Sequence, residues 1–268
     1  MGSPVSEGNI DQLFAATLSG DYDDEEPWEA IRVLRRDIGT RPVFERAAEW
    51  CRSDDPLKRA RGADVLAQLG KTVGHPTNSF PEESYATVVA LVEREGDPQP
   101  LSSGIHALGH LDNPEAVPLV SRFGRHPIAE VRFAVACALG SYPNDPLSVT
   151  NLLELTRDSD ADVRDWATFG LGVQGDCDTP EIREALFRCL EDQNEDVREE
   201  AMVGLAKRKD RRVLPILLQS LEQPSVTMRV TEAASLILGM DSEPEGWAAH
   251  NYISALRKHF PSSTEGLP

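Results

Sequence analysis

The chain has 268 residues, 40% of them hydrophobic, with 45 Asp and Glu against 27 Lys and Arg, a formal net charge of −18. That apolar content can fill an ample core, while so acidic a surface repels phosphate backbones and favours cationic partners. No apolar run reaches the roughly 18–20 residues a membrane helix needs, and the start, MGSPVSEGNIDQLF, lacks the basic region and long apolar core of a signal peptide. The four cysteines (Cys51, Cys137, Cys177 and Cys189) form no CxxC pair, as expected of reduced thiols in a cytoplasmic protein.

Taken in order, residues 1–26 read as a tail, a short helix over Ile10–Leu18 and an acidic run, Asp21–Glu26. The acids precede Pro27 and suit the positive end of a helix; the alternative is a docking strip for a basic partner. Trp28–Ile38 and Pro42–Arg52 predict a helical pair. After Asp55 and Pro56 comes the first of six related segments, KRARGADVLAQLG from Lys58. The others start at Pro100 (PLSSGIHALGHL), Val131 (VRFAVACALG), Val163 (VRDWATFGLG), Val197 (VREEAMVGLA) and Met228 (MRVTEAASLILG). Their spacings are 42, 31, 32, 34 and 31. The first is long because a Gly/Pro/Asn-rich loop, Lys71–Phe80, is inserted. Between the segments, amphipathic helices are predicted over about 81–94, 114–123, 147–156, 180–191 and 212–221. Glu243–Phe260 predicts a terminal helix able to cap a stack, and 261–268 a frayed tail.

Repetition at this period predicts a solenoid. With the segment start as position zero, Leu at eight (Leu66, Leu108, Leu139, Leu171, Leu205 and, in this frame, Leu236) faces the core. Small residues at five let helices approach. Gly at nine (Gly109, Gly140, Gly172) suits a left-handed or tight turn at a helix end. Asp or Glu at minus one with Arg at one (Asp162/Arg164, Asp196/Arg198, Glu130/Arg132) predicts a ladder of caps and hydrogen bonds between repeats. The basic run Lys207–Arg212 reads as cations at a helix C-terminal end, with an acidic partner as the alternative.

The D-V-R start, the small residue and the L-G end, followed by a second short helix, resemble HEAT repeats, more narrowly the bacterial phycobilisome-lyase HEAT-like type. The resemblance implies an all-α, right-handed HEAT-type α-α superhelix of about seven helical pairs. Residues 27–260 would form one domain.

Catalytic chemistry finds little footing. His106 and His110 stand four apart but without the Glu that metal-hydrolase spacing requires. Deoxyhypusine hydroxylases, HEAT-type oxidoreductases, use His-Glu pairs. Here the six histidines precede Pro76, Ala107, Leu111, Pro127, Asn251 and Phe260. HEAT-like DNA glycosylases use a basic groove with aromatic residues. Trp28, Trp50, Trp166 and Trp247 are present, with Asp165 beside Trp166, but residues 161–206 hold twelve acids and four bases. No GxSxG or phosphate loop occurs. We therefore expect no catalytic residues, no metal and no cofactor.

The expected function is a non-enzymatic scaffold or adaptor gripping a protein or peptide, with neither nucleic acid nor membrane as partner. An accessory or chaperone-like subunit of an enzyme or chromophore-attachment system is the alternative implied by the resemblance. If the helices between the signature segments line the concave face, alignment on Val117, Val149, Ile182 and Leu214 directs Arg122, Asn151, Glu154, Glu184, Phe187, Arg188 and Gln219 toward a groove. Phe187 and Arg188 are then the expected anchors.

Overall fold

A computed structural model describes residues 7–240 and 244–261. Among these, fifteen α-helices follow one another: α1 Glu7–Ala16, α2 Glu25–Arg32, α3 Arg41–Trp50, α4 Pro56–Ala67, α5 Pro81–Val92, α6 Pro98–His110, α7 Val117–Ser121 and α8 Ala129–Gly140, then α9 Pro146–Leu155, α10 Ala161–Phe169, α11 Pro180–Cys189, α12 Glu195–Lys207, α13 Leu214–Leu221, α14 Met228–Leu238 and α15 Ala249–His259. Wide π-type turns, Val33–Ile38 and Gly170–Gln174, prolong α2 and α10. The only β-type pairing in these residues is one isolated bridge, Thr72–His75, in the inserted loop. The fold is all-α, a HEAT-type solenoid of stacked helix pairs. The chain divides into two compact units, Met1–Ser141 and Tyr142–Pro268.

Starts of the helices follow local chemistry. Asp55, Asp145 and Asp160 accept from backbone amides of the first turns of α4, α9 and α10; Thr179, Asn194 and Thr227 do so for α11, α12 and α14. Proline occupies the first turn of α3, α4, α5, α6, α9 and α11, where no amide partner is lost. The caps lie three residues before position zero rather than at minus one, where the sequence pattern put them. That frame also corrects the last repeat. Thr227 caps α14, so position zero is Val230, 3% exposed, and not Met228, 82% exposed. Gly239 then falls at position nine.

Position-one arginines form the expected ladder. Arg132 donates to the carbonyls of His126 and Pro127, and Arg198 to those of Asp192 and Gln193, at 2.8–3.1 Å. Arg164 does the same with Asp158 and Ser159, and grips Asp192 of the following loop through two hydrogen bonds of 2.8 and 2.9 Å. Arg59 binds Ser53 and Asp54 carbonyls and reaches Glu95 and Asp97. These arginines therefore fix each loop to its own helix, and Arg59 and Arg164 also tie that helix to the loop that follows the next one.

Within each unit the signature helices form the tighter layer. In the first unit α4 packs along α6 and α6 along α8; in the second α10 packs along α12 and α12 along α14. Glycine permits this approach. A Cβ on Gly109 would stand 2.7 Å from Ala138 Cα, and one on Gly204 2.7 Å from Gly172 Cα. Neither Gly109 nor Gly172 has a positive φ. Their role is helix contact, and neither makes the left-handed form of the left-handed or tight turn expected at position nine. Leu66, Leu108, Leu139, Leu171 and Leu205 are at most 1% exposed, each contributing about 1.5–3 kcal/mol of burial. α15 covers the end of the second unit with Tyr252 and Leu256, and Trp247 lies edge-on to Tyr252.

The basic run is consumed internally. Arg208, 7% exposed, donates to the carbonyls of Leu171, Gly172, Gly175, Cys177 and Gly204. Lys207 binds Val173 and Gly175 carbonyls and Asp176; Arg212 binds Asp210 and Glu184. Lys207 and Arg208 close the end of α10 and the following loop.

Candidate functional site

The face of the tighter layer turned away from its partner helices is built from positions minus one, two, three and six. These positions do not follow the repeat. Position two reads Ser102, Phe133, Asp165, Glu199 and Glu232 from α6 to α14; position six reads His106, Cys137, Phe169, Val203 and Leu236. Scaffold positions recur because every repeat packs alike, so positions that vary are where individual chemistry resides.

In the first unit this face holds a cavity of about 810 Å³, lined by Tyr22, Trp28, Arg35, Asp64, Ser102, Ser103, His106, His110, Ile128, Glu130 and Phe133 among others. Its floor is a polar network. The Tyr22 hydroxyl donates to Asp64 Oδ2 at 2.8 Å and shares a 2.6 Å hydrogen bond with Ser103. Arg61, 1% exposed, donates to the Thr17 and Tyr22 carbonyls, stands 3.5 Å from Asp64 and stacks 4.0 Å over the Tyr22 ring. Arg35 donates to the Asp64 carbonyl and lies 5.9 Å over Trp28. Burial pushes the Asp64 carboxyl up, opposed by Arg35, the Tyr22 hydroxyl and Arg61. Burial and the Asp64 charge raise the Tyr22 phenol as well, so it stays a donor. Burial, then His110, lowers His106 to about 4, which keeps that imidazole neutral. His106 lies edge-on to Phe133 at 5.7 Å. The Ser102 hydroxyl is buried without a hydrogen-bond partner. The result is a recess with aromatic walls, acids Asp23 and Glu130 among its lining, and a floor where Arg35 and Arg61 face Asp64.

In the second unit the same face is acidic. Asp165 and Glu200 are pushed up to about 6 and about 8, each chiefly by burial. The next influence is the Asp196 charge for Asp165, and for Glu200 the opposing charge of Arg229, followed by Asp165. Glu199 is also raised, mainly by burial. Arg229 pairs with Glu200 Oε1 at 2.5 Å and lies 5.3 Å over Phe169, whose ring meets Trp166 edge-on. Among the described residues, no three His, Cys, Asp or Glu side chains stand together to hold a metal ion. No helix among them is long and apolar enough to cross a membrane.

The residues expected to line a groove lie on the other layer or its loops. Phe187 and Gln219 share a depression of about 640 Å³ between α11 and α13, where the Arg212 guanidinium stacks 4.6 Å over Phe187. Glu154, Glu184 and Arg188 share a second, of about 440 Å³, between α9 and α11. Asn151 lines neither; its amide donates to the Leu147 carbonyl. Arg122 belongs to the first unit and is exposed just after α7. Six of the seven thus lie on α9, α11 and α13 of the second unit, five of them in two depressions that flank α11. On the tighter layer's open face, the sequence singles out His106, Trp166 and Asp165 only for catalytic chemistry; Ser102, Phe133 and Glu200 carry no recurring motif and show only as positions that change from repeat to repeat.

The profile of HEAT repeats matches residues 85–172 and 149–237, together more than half of the chain. The chain belongs to the HEAT-repeat family. Its relatives in that family include protein YibA of Escherichia coli (strain K12), 30% identical over 232 residues that cover 84% of this chain and 79% of YibA. The crystal structure of E. coli YibA superposes with a TM-score of 0.69 at 22% identity, covering 96% of this chain and 99% of that one. The phycocyanobilin lyase subunit alpha of Thermosynechococcus vestitus is 31% identical over 147 residues, about half of each chain. The HEAT-repeat fold and its helix order thus extend through both units.

Proposed function

We propose that this HEAT-repeat chain is an accessory, chaperone-like protein subunit that holds a segment of a partner protein on the open face of its tighter helix layer. One observation carries the reading: the cavity of the first unit, with Trp28, Phe133 and neutral His106 around the buried, unpartnered Ser102 hydroxyl. Its walls offer apolar area for a side chain, and the hydroxyl offers one unused hydrogen bond. The similarity to a protein named as a lyase subunit supports a subunit's role over that of a free-standing scaffold. A photo-crosslinking residue at Ser102 should capture one discrete protein in the native cell, whereas the same residue at Gln219 should not. Capture from Gln219 alone would move the function to the surface around Phe187 and Arg188. Capture from neither would defeat the protein-binding reading.

A further inference from the structure

The second unit's open face carries more negative charge than its own cations balance. Asp162 and Asp165 of α10, Glu195, Asp196, Glu199 and Glu200 of α12 and Glu232 of α14 act on one another there, with Arg229 as the cation among them. Arg229 is engaged already, on Glu200 Oε1 and, more distantly, on Glu232 at 3.9 Å. A second observation is independent of charge. Glu200 is 5% exposed, yet its Oε2 is buried with no hydrogen-bond partner, and Asp165 Oδ1 is in the same condition. Buried carboxylate oxygens without donors are rare in folded proteins and persist where a ligand or function offsets them. Trp166, adjacent to Asp165, is 39% exposed. Indole faces attract cations, and the Arg229 guanidinium over Phe169 shows that such a group fits this surface.

We infer that this face recognises a lysine or arginine side chain of the partner protein, seated against Trp166 with the Asp165 and Glu200 carboxylates as its acceptors. The inference rests on the protein-binding reading above. An indole wall favours an organic cation over a metal ion, and the acids around it repel an acidic segment. Cation binding requires ionised carboxylates, so it strengthens as Asp165 and then Glu200 ionise; the other charged groups that face them are Asp162, Glu195, Asp196, Glu199 and Glu232, with Arg229 opposing.

The test is a calorimetric titration of the full chain with two capped alanine-rich peptides, one containing lysine and the other norleucine in its place. At about pH 9 the lysine peptide should bind at least about tenfold more tightly, an ordinary difference for one desolvated charge pair. The preference should shrink severalfold at about pH 5.5, and Asp165→Asn with Glu200→Gln should abolish it. Equal affinity of the two peptides, or a lysine preference that survives the double substitution, would overturn the inference. Should the double variant lose its helical circular dichroism, Trp166→Leu and the wild-type peptide comparison decide in the same way. A negative titration with capture at Ser102 intact removes the cation site and leaves the protein-binding reading standing.

Discussion

Asp64 and Glu200 are both buried carboxylates on the tighter layer, 5% exposed each, one in each unit. Their surroundings differ. Asp64 receives the Tyr22 hydroxyl and lies among Arg35 and Arg61. Glu200 has Arg229 on one oxygen, nothing on the other, and Asp165, Glu199 and Glu232 as neighbours. The first arrangement is closed on itself and holds the α1–α2 region to α4; the second is electrostatically incomplete. A buried charge therefore marks a site only after its partners are counted.

The largest effect should come from breaking the closed arrangement. Arg61→Ala takes one of two cations from Asp64 and the donors from the Thr17 and Tyr22 carbonyls, and should destabilise by about 3–5 kcal/mol in urea unfolding, the usual cost of breaking a buried charge network. A loss under about 1 kcal/mol would show that the network is not structural. The shared scaffold is the reference for both units. Leu108→Ala and Leu171→Ala should each cost about 2–5 kcal/mol; a marked difference between them would mean that the two stacks are not built alike.

Much of this was legible in the sequence, and the reasons for the remainder are physical. Repeats, prolines and cap residues act locally, so the helices and their order could be read from single segments. In α14, Arg229 imitates the position-one arginine, and only the Thr227 cap reveals a frame two residues later. At position nine Gly239 is the left-handed turn residue the pattern suggests, whereas Gly109 and Gly172 serve helix contact, because helix-to-helix distance is a tertiary quantity that no segment encodes. The close packing of the signature helices was legible in their small residues at position five, although helices of both layers carry an apolar stripe at the same spacing. Asp165 and Glu199 share position two of consecutive repeats, so their common face was legible in the sequence; its partial burial was not.

The incomplete arrangement makes the next prediction. In the unfolded chain Glu200 ionises near its ordinary value of about 4.5, while in the folded protein it does so at about 8. Between those values the native state holds a proton that the unfolded state has lost, so stability falls as pH rises and levels off above about 8. Glu200→Gln should remove that decline and raise stability at about pH 8.5 by roughly 1–3 kcal/mol, allowing for the lost Arg229 pair. Thermal unfolding from about pH 5 to 9 measures it; parallel curves for wild type and variant would refute the assignment. The smallest effect is expected at Glu232, whose side chain is 44% exposed. Glu232→Gln should shift stability by less than about 0.5 kcal/mol while measurably weakening lysine-peptide binding.

The most direct measurement is an NMR titration of the Glu200 side-chain carboxyl, with and without saturating lysine peptide. A cation seated beside this carboxylate favours its charged form, so its pKa should fall from about 8 by at least about one unit. A titration unchanged by bound peptide would place the peptide elsewhere and contradict the account.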